Sequence, residues 1–151
     1  MTLPRAPAPA MRAWPFPRVR ERVVRDGRAL EVVDVQDRRE LRAHGESTQG
    51  AIYFDDPGRP ALAYLRSLLA VFGVIRPKRT LCLGLGPGAL PRALKALDPS
   101  VQVDAVEVDP VVVELARRWF GIDALGGLSV HLGDAREYVE SATSPWDAIF
   151  C

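Results

Sequence analysis

The apolar run Leu81-Cys82-Leu83 breaks into Gly84-Leu85-Gly86-Pro87-Gly88, and a helix-like pattern with Leu90, Leu94 and Leu97 starts at once behind it. A strand that ends in a glycine turn and feeds a helix N-terminus leaves few folds open. The turn lets backbone approach a ligand closely, and the helix start presents unpaired N–H groups. A second apolar run, Val103-Asp104-Ala105-Val106-Glu107, ends in an acid nineteen residues beyond Gly88. An acid at that spacing sits at the tip of the neighbouring strand, where a ribose diol is gripped. The two features together predict a bound adenosine.

From Thr80 onward the rhythm is strand–helix repeated: strands at 80–85, 101–107, 128–132 and 147–151, helices at 88–97, 110–120 and 135–141. Leu90, Leu94 and Leu97 mark the buried face of the first helix, and Val113, Ala116 and Phe120 that of the second. Asp109-Pro110 reads as the cap and first position of its helix. Alternation of this kind predicts an α/β fold with a Rossmann-like parallel sheet. The chain stops inside the fourth strand, so the expectation is the N-terminal half of a longer domain, with that strand left as an edge open to pairing with a second copy.

The first 80 residues have a different texture. Residues 1–20 carry five prolines among alanines and arginines and are expected to form a flexible tail, with Trp14 and Phe16 folding back onto the body. Residues 21–58 read as a small β-rich piece, with strands near 29–35, 40–43 and 49–54 and turns at Asp37-Arg38 and His44-Gly45-Glu46. A helix over 60–72, capped by Asp55 or Asp56 and closed by Gly73 and Pro77, opens the nucleoside-binding part at 59–151. Its stripe is Leu62, Leu65, Leu68, Leu69 and Phe72.

Composition narrows the function classes. Twenty basic residues face nineteen acidic ones, for a net charge of +1, a balance that does not call for nucleic acid or an anionic membrane as partner. No apolar run approaches the ~20 residues of a membrane span. Cys82 and Cys151 read as buried core thiols of a reduced, cytoplasmic protein. His44 and His131 lack metal-ligand spacing, so a metal site is not expected.

The glycine turn, Glu107-Val108-Asp109-Pro110, Gly133-Asp134-Ala135-Arg136 and Trp146-Asp147-Ala148-Ile149-Phe150-Cys151 together resemble the successive motifs of spermidine synthases and their relatives. These are polyamine aminopropyltransferases built on the class I methyltransferase fold, and the resemblance runs from about residue 25 to the end. It implies that Gly84, Gly86 and Gly88 border the methionine-derived tail of S-adenosylmethionine or its decarboxylated form. It also implies that Glu107 holds the ribose hydroxyls, that Asp134 accepts from the adenine amino group, and that the Ala135 amide meets the ring. A carboxylate suits both tasks, as an acceptor for diol hydrogens and for an exocyclic amine. Gln49 and Tyr64 become candidates to line an acceptor pocket, for a polyamine or another small molecule.

The chain also departs from that pattern. Pro87 stands where aminopropyltransferases carry an acid for a substrate ammonium, and Tyr64-Leu65-Arg66 keeps only the tyrosine of their helix motif. Their catalytic aspartate follows the fourth strand directly, so no catalytic residue is assigned here. Other readings remain open. Asp134 serves equally as a helix cap, and Glu107 as an ordinary strand end. Gly84 to Ala89 fits the loose dinucleotide fingerprint of an NAD-dependent oxidoreductase, and a non-catalytic interaction module is a third class.

Overall fold

The computed structural model describes residues 14–43 and 47–151, with side chains from Phe16 onward. Four antiparallel strands come first: β1 (Trp14–Arg25), β2 (Arg28–Gln36), β3 (Arg38–Ala43) and β4 (Ser47–Tyr53), paired in that order. The expected turn at 44–46 and residues 1–13 of the expected tail lie outside the described residues, and over 14–20 that tail gives way to the strand β1. Its alternation is masked by prolines and arginines, but Asp26-Gly27 closes a two-residue hairpin onto β2, both at positive φ (50° and 75°), as the right-handed twist of a hairpin favours. Phe16 is exposed rather than folded onto the body.

Helix α1 (Ala63–Ile75) follows. It begins three residues later than expected and runs through Gly73, ending at Arg76 in the left-handed region. Its N-cap is Leu62, with no side-chain cap; Asp55 instead pairs with Arg59 at 3.5 Å. Leu65 and Phe72 of the expected stripe are buried, and Leu68 and Leu69 pack beside them.

The second half alternates β5 (Arg79–Leu83), α2 (Ala89–Leu97), β6 (Gln102–Glu107), α3 (Pro110–Phe120), a short 3₁₀ turn (Ile122–Ala124), β7 (Leu128–Leu132), α4 (Ala135–Glu140) and β8 (Ala148–Phe150). The four strands form one parallel sheet in the order β7-β6-β5-β8. This is the Rossmann-like sheet the alternation predicts, with β5 central. Leu97 is exposed, against expectation, because it closes α2 beyond the buried Leu94. Cys151 is also exposed, whereas Cys82 is buried in β5, where burial pushes its thiol up to about 12.

Helix α3 ties the two halves together. Val113 and Ala116 pack against the parallel sheet with Cys82, Val103, Ala105 and Phe150. Val111, Val112, Leu115 and Phe120 pack against Leu30, Val32, Leu41 and Ile52 of the antiparallel sheet. A helix buried along two stripes needs apolar residues around most of its circumference, and the run Val111-Val112-Val113 with Leu115-Ala116 supplies them. Arg39 reinforces the junction. It pairs with Asp34 at 2.7 Å and donates to the Trp119 carbonyl at 2.8 Å.

Candidate functional site

The C-terminal ends of β5 and β6 open into a cleft of about 390 Å³. Open parallel sheets place their ligands at this edge, where the chain leaves each strand for a helix. The floor of the cleft is the glycine turn. Gly84 and Gly86 line it at φ 97° and 53°, a region costly to residues with a Cβ. A Cβ built on Gly84 would meet nothing within 4 Å, so the backbone there faces open space. Gly88 has another reason to be glycine. It does not line the cleft, and a Cβ there would lie 2.6 Å from Ile122 Cγ2.

Glu107 forms the lip. Its Oε2 accepts the amides of Leu85 at 3.0 Å and Gly86 at 3.4 Å, and its Oε1 accepts the amide of Asp109 at 3.1 Å. The carboxylate thus fixes the turn that follows β5 to the turn that follows β6. Two carboxylate oxygens offer about four acceptor positions, so three amides leave room for a hydroxyl from the cleft. Asp109 caps α3 as expected, accepting from Val111 N at 2.8 Å with Pro110 at the first helical position.

The antiparallel sheet and α1 supply the far wall. Gln49, Gly50 and Tyr64 all line the cleft. Gly50 lies against the Pro87 ring so closely that a Cβ would sit 2.5 Å from Pro87 Cγ and Cδ, so β4 is seated directly on the glycine turn. Tyr64 is half exposed, and desolvation raises its phenol above the ordinary value. Phe150 and Cys151 border the cleft at the end of β8.

Asp134 and Ala135 are not among the lining residues. They lie one strand further out: Gly133 N donates to the Glu107 carbonyl at 2.9 Å, and Asp134 caps α4, accepting from Arg136 N at 2.8 Å and Glu137 N at 3.2 Å. Gly84, Gly86, Glu107, Gln49 and Tyr64 therefore meet in one cleft, while Gly88, Asp134 and Ala135 stand outside its wall. Sequence reasoning missed Arg28 and Gly50. The only sequence signal for Arg28 was its place beside the Asp26-Gly27 turn, and Gly50 shows its purpose only once β4 meets Pro87. Among the described residues no group of three or more His, Cys, Asp or Glu side chains is placed to hold a metal, and no helix is long and apolar enough to cross a membrane.

Comparison with known proteins agrees with this architecture. No family model matches the chain. A polyamine aminopropyltransferase of Vibrio vulnificus is 40% identical over 102 residues, which are 65% of this chain and 33% of that protein. The zebrafish (Danio rerio) eEF1A lysine and N-terminal methyltransferase is 36% identical over 75 residues, 50% of this chain and 11% of that one. Among solved structures, spermidine synthase from Thermotoga maritima aligns with a TM-score of 0.68 at 22% identity, over 87% of this chain and 46% of that one. Human methyltransferase-like protein 13, solved in complex with SAH, aligns with a TM-score of 0.53 at 28% identity, over 59% and 46%. The chain therefore spans a third or less of these two curated relatives. Its fold is that of the spermidine synthase and methyltransferase structures, and its curated relatives are named polyamine aminopropyltransferase and eEF1A lysine and N-terminal methyltransferase.

Proposed function

We propose that the cleft binds an S-adenosylmethionine-type nucleoside (S-adenosylmethionine, its decarboxylated form or methylthioadenosine) and that the chain is the nucleoside-binding part of a spermidine synthase-like transferase. The observation that carries this reading is Glu107. Its carboxylate is fixed by the amides of the glycine turn at the mouth of the cleft, with acceptor capacity left over for a ribose diol. The chain's own residues fit such a group. Gly84 leaves open space for a ligand tail, and Asp134, at the cap of α4 just past the end of β7, is our candidate for the adenine amino group, with the Ala135 amide next to it. When bound, the sulfonium of S-adenosylmethionine or of its decarboxylated form would make an attached alkyl group an electrophile, whereas methylthioadenosine, a thioether, would occupy the site as a product. Gln49 and Tyr64, on the wall facing the glycine turn, are our candidates to position an acceptor. A polyamine is one acceptor consistent with the aminopropyltransferase relatives, and methyl transfer is consistent with the others. We place the protein in the cytoplasm, where Cys82 and Cys151 stay reduced.

Titration calorimetry tests the ligand class. Methylthioadenosine or S-adenosylmethionine should bind more tightly than NAD, and tighter NAD binding would overturn the reading. Glu107→Ala should weaken nucleoside binding by about 1.5–3 kcal/mol, the range for hydrogen bonds to a charged group. An unchanged affinity would leave Glu107 only its role in fixing the turn.

A further inference from the structure

A second cleft, of about 510 Å³, opens between the tip of the β1–β2 hairpin and the start of α3. We propose that it is a binding site for a small oxyanion-headed apolar molecule, such as a medium-chain carboxylate. The inference is independent of which nucleoside, if any, occupies the neighbouring cleft. The walls are apolar: Val23 and Leu30 from the hairpin, Val108 and Val111 from the β6–α3 junction. Val108 is 68% exposed, an apolar side chain left facing open space. Arg25 and Arg28, opposite each other in the β1–β2 register, stand over this floor.

With Arg18, these arginines differ from the other arginines of the same sheet. Arg20, Arg22, Arg38, Arg39 and Arg42 each hold a carboxylate within 4.0 Å. Among the described residues no carboxylate lies that close to Arg25 or Arg28. Two acids also line the cleft. Asp109 is engaged by the Val111 amide, and Asp26 sits in the hairpin turn between the two arginines. Two guanidinium groups over an apolar floor recognise an oxyanion through charge-assisted, paired N–H donors, and the same groups repel an ammonium head. The two clefts share Arg28, Val108 and Asp109, so a molecule in one lies against the wall of the other.

The test is a methyl-resolved NMR titration of the whole chain with octanoate and, separately, octylammonium, which pair the same apolar body with opposite heads. Octanoate should shift the methyl signals of Val23, Leu30, Val108 and Val111 saturably, and octylammonium should not. Arg25→Glu with Arg28→Glu should weaken octanoate binding by about tenfold or more, and Asp26→Asn should strengthen it. Arg25→Gln with Arg28→Gln, which removes the two positive charges without adding negative ones, should fall between. Equal binding of both heads, shifts confined to other methyls, or octanoate affinity unchanged in both arginine pairs would overturn the proposal. Methylthioadenosine titrated into the unsubstituted chain reports on the neighbouring cleft through the methyls of Leu68, Leu90 and Val112, which line that cleft alone.

Discussion

Gly88 illustrates how a residue can look like a ligand contact and be held in place by packing. The spacing of Gly84, Gly86 and Gly88 gives each the same appearance in the sequence, because alternation alone does not say which residue faces the ligand. Only the fold separates them: the first two face the cleft, and Gly88 faces Ile122. Gly88→Ala should therefore destabilise the chain by about 2 kcal/mol or more, from a left-handed residue carrying a Cβ and a contact that must open. Chemical denaturation would show it as a lower midpoint with an unchanged slope. The place of Glu107 at the end of β6 was legible because it follows from the period of the apolar run. Arg28 and Gly50 were not, since their neighbours come from elements far away in sequence.

Among the elements, the parallel strands and their helices were readable within a residue or two, because each carries its own apolar pattern and α3 its own cap. The strand β1 was not. Its residues from Pro17 to Arg22 are mostly charged, with Val19 between arginines, and what makes them a strand is the hairpin closed by Asp26-Gly27 and pairing with β2. The start of α1 was misplaced for a related reason. Asp55 and Asp56 look like caps, but Asp55 is held by Arg59. The capping of α4 by Asp134 also belongs to this scale. Removing an N-cap costs about 0.5–2 kcal/mol, so Asp134→Ala should lower stability whatever else it does. If it also recognises adenine, nucleoside affinity should fall in the same variant. Asp134→Ser, whose hydroxyl can still cap α4 but brings no carboxylate, is the reference: thermal melts should place it nearer the wild type than Asp134→Ala, while calorimetry should show both variants losing nucleoside affinity.

For the whole molecule, the antiparallel sheet is pinned by buried acids. Burial pushes the Asp34 carboxyl up, but hydrogen bonds from Arg39 and Arg20 outweigh it and hold it below the ordinary range. Glu40 is 1% exposed, and against the same cost of burial Arg42 and Arg38 hold it low. A carboxyl whose folded value lies below its unfolded one contributes stability that is fully present above the unfolded value. That stability is lost as pH falls through the folded value. Urea midpoints should thus be flat from neutrality down to about pH 5 and drop below about pH 4, near the unfolded carboxyl range. Asp34→Asn should be less stable at pH 7, since it strips Arg20 and Arg39 of their partner, and its midpoint should fall less on acidification.

The seat of Gly50 on the Pro87 ring has a consequence for cohesion. One wall of the proposed nucleoside cleft belongs to the antiparallel sheet and α1 and the floor to the parallel sheet, and at the cleft itself they meet through this ring-on-backbone contact. A molecule filling the cleft then acts as a rivet between the two layers. By mass action it adds about 2.7 kcal/mol to the folded state when present at 100 times its dissociation constant. That gain is shared by both sheets, because separating them destroys the cleft, so ligand should raise the melting of β2 and of β5 by the same increment.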